Sequence, residues 1–90
     1  MANYKLSNVA KEDLIRIYRY GVEQFGEKQA DKYFNSFERI AQRPFSYESV
    51  DYIKSGYRKC VSGVDSIYFR VINESVEIMT IIGKHDLEKL

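Results

Sequence analysis

The stretch GYRKCVSGVDSIYFRVINESVEIMTIIG, residues 56–83, decides the fold. It holds three runs rich in Val, Ile, Tyr and Phe, Tyr57–Val61, Ser66–Ile72 and Val76–Ile82. β-branched and aromatic side chains of this kind suit the half-buried surface of a sheet. The separators, Ser62-Gly63-Val64-Asp65 and Asn73-Glu74-Ser75, are short and polar, so consecutive strands must return antiparallel as hairpins. Working back, FSYESVDYIKSG (45–56) mixes turn formers with isolated aromatics and reads as a loop with one short helical turn around Tyr47–Tyr52.

Before that loop the period changes from two to 3.6. Ala30, Tyr33, Phe34, Phe37, Ile40 and Ala41 keep helical spacing from about Glu27 through Gln42, and Pro44 closes the segment. Ala10, Leu14, Ile17 and Gly21 form the stripe of an earlier helix, capped by Ser7 or Asn8 and ended at Phe25-Gly26. The short turn between them predicts an antiparallel helical hairpin with its apolar stripes on a common sheet. Residues 3–7, NYKLS, alternate in polarity and read as a first strand. The order is β-α-α-β-β-β, an α+β fold with the hairpin on one face of a small, mainly antiparallel sheet, in one domain over 1–90. Residues 83–90 are expected to form a flexible tail.

Composition narrows the chemistry. Fourteen Lys and Arg stand against thirteen Asp and Glu, a formal charge of +1, which argues against an extended basic surface for nucleic acid, and no sequence-specific nucleic-acid binding is expected. The single cysteine, Cys60, cannot pair within the chain, and in a strand it reads as a small buried thiol. No run approaches the roughly 18 apolar residues of a membrane span, and the opening MANYKLSNVAKED is too polar for a signal peptide. A cytoplasmic protein without membrane contact is the expectation. His85 is the lone histidine, and with no second ligand at suitable spacing no metal site can be argued.

Particular residues then carry a resemblance. Tyr4-Lys5-Leu6-Ser7 leads into Ala10, Asp13-Leu14 and Ile17; Phe25-Gly26 is followed by Gln29-Ala30, and Ile40-Ala41 precedes Pro44. Gly56-Tyr57-Arg58, Ser62-Gly63 and Ile67-Tyr68-Phe69-Arg70-Val71 complete an ordered set that resembles the RelE/ParE superfamily of toxins, most closely its ParE branch, over nearly the whole chain. The resemblance implies a toxin of a type II toxin–antitoxin system, needing no cofactor. Its neutralising partner would be a ParD-like antitoxin wrapped over the hairpin and sheet, and its target DNA gyrase, poisoned by binding rather than by catalysis.

The alternative within the superfamily is a ribosome-dependent mRNA endonuclease of the RelE type. Cleavage without metal needs cations around the scissile phosphate and groups that move protons. Arg58 and Lys59 lie near the first basic pair of such nucleases, but Ser66 stands where they carry an arginine, and the chain ends at Leu90 before the tyrosine some of them use. A degenerate homologue that binds an antitoxin and harms nothing is a third reading. Since strand side chains alternate, only one of Arg58 and Lys59 can share a face with Arg70. The expected target-binding set is Arg58, Lys59, Arg70, Lys84 and His85, with no catalytic residue. The expected antitoxin-binding set is Leu14, Ile17, Tyr18, Phe37 and Arg58, with Leu14, Ile17 and Phe37 shared between core and groove.

Overall fold

The computed structural model describes residues 3–24, 28–62 and 65–83, without the side chains of residues 18, 20–24 and 28–31. Strand β1 (Tyr4–Leu6) leads into helices α1 (Asn8–Gln24) and α2 (Lys28–Gln42). A 3-10 turn (Pro44–Ser46) and a two-residue strand β2 (Glu48–Ser49) follow, then β3 (Arg58–Ser62), β4 (Asp65–Ile72) and β5 (Ser75–Ile82). The five strands lie in the order β1-β5-β4-β3-β2. All neighbours are antiparallel except β1 and β5. The α+β architecture is the expected one, with two adjustments in the 45–56 loop. A 3-10 turn starts at Pro44, whose fixed φ suits the first position of a turn, ahead of the expected one. The expected span is overlapped by a single turn in which the Val50 carbonyl accepts the Ile53 and Lys54 N–H groups at 2.8 and 3.1 Å; Glu48–Ser49 adds a short edge strand.

Local chemistry sets each boundary. Ser7 is the cap of α1: its Oγ accepts the Ala10 N–H at 3.0 Å and donates to the Met79 carbonyl at 2.7 Å, so one hydroxyl starts the helix and ties it to β5. The predicted stop at Phe25-Gly26 lies outside the described residues. Between β4 and β5, Asn73 and Glu74 both take positive φ, 51° and 64°, as a two-residue turn matched to the twist of a hairpin requires. Gly56 has φ of 82°, with Asp51 Oδ1 accepting its N–H at 2.7 Å, which closes the loop between β2 and β3.

The core lies between hairpin and sheet. Ile17, Tyr33, Phe37 and Ile40 from the helices meet Cys60, Ile67, Phe69, Val76, Ile78 and Ile81 from the strands. Tyr4 and Phe34 flank Phe37 at ring distances of 5.5 and 5.9 Å, the tilted and edge-on contacts aromatic quadrupoles favour. Only one face of the sheet is covered in this way. The register shifts between Tyr68 and Phe69, where β5 carries an extra residue, Met79.

Candidate functional site

Sheet alternation divides the predicted cations. On β3, Cys60 is buried and Ser62 approaches Ser36 of α2, Oγ to Oγ, at 3.2 Å; Arg58, Cys60 and Ser62 therefore share the helix-covered face. Arg58 Nη1 donates to the Tyr47 carbonyl at 2.7 Å, and its guanidinium lies 5.1 Å from the centre of the Phe45 ring. It borders an open cleft of about 310 Å³ lined also by Ser49, Asp51, Tyr57 and Val71. Lys59 points the other way, opposite Tyr68, and Arg70 lies on the same open face. It is thus Lys59, not Arg58, that shares a surface with Arg70.

Arg70 is already engaged. Its Nη2 and Nε meet Glu77 Oε1 at 2.8 and 3.0 Å across the β4–β5 pair, a half-exposed fork that neutralises the cation. Ser66 and Ile82 pair on that face, beside Val61. Lys84 and His85 lie outside the described residues.

The hairpin residues divide in a different way. Phe37 and Ile17 are consumed by the core and present almost no surface, which corrects the expectation that they are shared with a groove; Leu14 is half-buried against the core. The side chain of Tyr18 lies outside the described residues. Among the described residues, exposed apolar surface on the helices is carried by Val9, Ile15 and Phe34, and in the following loop by Phe45, Tyr52 and Ile53.

Two polar constellations escaped the sequence reading. Asp13 is only 7% exposed. Its Oδ2 accepts the Thr80 hydroxyl at 2.6 Å and the Ile81 N–H at 3.1 Å, while Oδ1 meets Arg16 at 3.1 Å. The signal was present: Ala10, Asp13 and Ile17 share helical spacing, so an acid stands on the inward stripe. The second is a seam between α2 and the β3–β4 hairpin. There the Tyr33 hydroxyl donates to Asp65, and the fully buried Ser36 links Ser62 to Arg39, whose Nη2 donates to Ser36 Oγ at 3.0 Å.

Cys60 adjoins that seam. Burial pushes its thiol above the usual range, with Arg39 and the Tyr47 hydroxyl pulling in the opposite direction. Such a thiol stays protonated and is a poor nucleophile. Among the described residues, no three or more His, Cys, Asp or Glu side chains come together as metal ligands would, and no helix is long and apolar enough to cross a membrane.

The chain is similar to known proteins over most of its length. The profile of the family described as ParE toxin of type II toxin–antitoxin system, parDE, matches residues 4–87. Toxin ParE1 of Caulobacter vibrioides is 34% identical over 86 residues, covering 91% of this chain and 88% of that protein. Toxin ParE1 of Mycobacterium tuberculosis is 27% identical over 86 residues, covering 90% and 88%. Among solved structures, the chromosomal ParDE system from P. aeruginosa superposes with a TM-score of 0.74 at 21% identity, over 92% of this chain and 96% of that one. The RelBE2 toxin–antitoxin complex of Mycobacterium tuberculosis gives 0.57 at 19% identity, over 92% and 98%. At these identities the structural matches speak for the fold.

Proposed function

The chain belongs to the ParE toxin family of type II toxin–antitoxin systems, and from that premise we propose that it poisons DNA gyrase by binding and is neutralised by a ParD-like antitoxin. The observation that carries the choice of binding over cleavage is the separation of its cations. A metal-free nuclease must converge several positive groups on one phosphate and hold an acid and a base beside it. Here Arg58 lies on the helix-covered face with one N–H given to Tyr47, while Arg70, on the open face, is paired with Glu77. Lys59 and, at the far edge in register with Glu77, Lys5 are the open-face cations with no ion pair among the described residues, and Ser66 supplies no charge between them. A surface of this kind suits stoichiometric contact with another protein. The structural match to a ParDE system supports a ParD-like partner.

The test is direct. Purified protein incubated with gyrase and supercoiled plasmid is expected to yield linear DNA after protein removal, and added antitoxin to abolish it. If plasmid stays intact while mRNA on translating ribosomes is cut at codon-defined positions, and the cuts vanish in Arg58→Ala, the RelE-type endonuclease reading replaces this one. Antitoxin binding with neither activity would identify a homologue that has kept its partner and lost its target.

A further inference from the structure

The two edges of the sheet are finished differently. At the β5 edge, β1 covers Val76–Ile78, and beyond it α1 takes over. Ser7 N–H donates to the Ile78 carbonyl at 2.9 Å, Ser7 Oγ to the Met79 carbonyl at 2.7 Å, and the Ile81 N–H goes to Asp13 at 3.1 Å. Edge groups that would attract another strand are occupied well past the end of β1.

At the opposite edge, β2 covers only Arg58 and Lys59. Continued register would set Ser46 opposite Val61, but Ser46 belongs to the 3-10 turn and gives its N–H to the Arg43 carbonyl at 3.2 Å. The Val50 N–H bonded to the Tyr57 carbonyl at 2.9 Å fixes the alternation: Tyr57, Lys59 and Val61 direct their backbone groups toward the β2 side, Arg58, Cys60 and Ser62 toward β4. Among the described residues the Val61 N–H has no partner, and its carbonyl is approached only by the Cys60 thiol at 3.9 Å. The Val61 side chain, 65% exposed, stands on the open face.

The flanks of this gap define what would fill it. On the helix side is Arg39, exposed, in the last turn of α2 and held over β3 through Ser36 and Ser62, with no carboxylate partner among the described residues. On the open side are Val61 and Lys59. An extended segment laid against Val61 would alternate, with one side chain toward Val61 and its neighbours toward Arg39. Complementarity asks for an apolar residue in the first position and acids in the second.

We propose that the Val61 edge of β3 is a strand-addition site for an extended, alternately acidic and apolar segment of the protein partner that neutralises this chain. The inference rests on the antitoxin reading above and adds where and through which chemistry the partner is held. Arg39 supplies charge selection, Val61 the two backbone bonds and the apolar contact.

The experiment titrates the full chain with the antitoxin encoded beside its gene, comparing wild type, Val61→Pro and Arg39→Glu, and follows exchange of the Val61 amide. Val61→Pro removes the outward N–H and leaves the β4 ladder its donors; Arg39→Glu reverses the flanking charge on an exposed side chain. Each variant is expected to bind at least tenfold more weakly, and the Val61 amide of wild type to slow at least tenfold in the complex. Wild-type binding matched within twofold by both folded variants, with Val61 exchange unchanged, would overturn the site while leaving the partner reading intact. Failure of wild type to bind would remove the partner reading and this site with it. Should Val61→Pro not fold, Arg39→Glu and the amide measurement decide.

Discussion

Replacing Asp13 by alanine should cost more stability than any exposed charge in this chain. The carboxylate is buried, and its loss strands the Ile81 N–H, a penalty of about 1–3 kcal/mol for a buried group with no replacement partner. The Thr80 hydroxyl, 2.6 Å from the same oxygen, loses a charge-assisted bond but can rotate, adding about 1 kcal/mol. Arg16 is 40% exposed, so its pairing at 3.1 Å is screened and contributes no more than about 0.5 kcal/mol. Together these give about 2–4 kcal/mol, a large share of the roughly 5–13 kcal/mol expected of a 90-residue domain.

Urea denaturation should show the midpoint falling without change in slope, and the melting temperature should drop by about 10–25 °C. Asp13→Asn keeps one acceptor oxygen and should lose about 1–2 kcal/mol; Thr80→Val, which leaves Ile81 satisfied, should lose about 1 kcal/mol. In a double-mutant cycle, Asp13 and Thr80 should couple by about 1 kcal/mol. A loss below about 1 kcal/mol for Asp13→Ala, or a cycle that closes to zero, would refute the assignment of the clasp.

Four further outcomes follow from other sites. Glu74→Gly should raise stability by up to about 1 kcal/mol, read as a higher melting temperature, because Glu74 holds φ of 64° in a turn that favours glycine there. Cys60 in the folded protein should be alkylated far more slowly at pH 8 than a model thiol and react at the ordinary rate in denaturant, since burial raises its thiol above the usual 9.0. The Gly56 N–H and the Ser49 hydroxyl hold the Asp51 carboxyl below its ordinary 3.8, so its contribution is present above that value and lost as pH falls through the depressed one; Asp51→Asn should flatten that acid-side part of a pH–stability curve. Deletion from Lys84 onward should leave the melting temperature within a few degrees and antitoxin binding in place, because a short chain end with few apolar residues tolerates truncation, while growth inhibition disappears. Full toxicity in the truncated chain would place the target-binding surface on the sheet, and unfolding would show that Leu87 or Leu90 packs into the core.

The runs of residues 56–83 were legible because their period and separators admit one arrangement: hairpins short enough to force antiparallel pairing. Strand β2 was not, since two residues, one Glu and one Ser, carry no periodicity, and they become a strand only through the register Glu48 and Ser49 share with Lys59 and Arg58. Alternation alone announced that Arg58 and Lys59 must part, but which of them faced Arg70 depended on the burial of Cys60 between hairpin and sheet, a tertiary fact. For the same reason the apolar stripe of α2 could not say that Phe37 is wholly enclosed while Phe34, three residues earlier, stays exposed.

Asp13 shows why polar links resist this kind of reading. An acid on an inward stripe announces that it needs partners, yet the groups that satisfy it, Thr80 and Ile81, are far along the chain and come within reach where the ladder slips beside Tyr68. A bulge leaves no reliable signature in Val76–Ile82, because Met79, Ile81 and Ile82 are apolar on whichever face they fall and so do not mark where the alternation slips. The same irregularity frees the Met79 carbonyl for Ser7, so cap, bulge and buried acid form one connected device. That device fastens α1 to the last turn of the sheet before Gly83. Substitution at Asp13 should therefore loosen α1 from β5, read as faster hydrogen exchange of the Ile81 amide, where substitution at Glu77 on the open face should leave that amide unchanged.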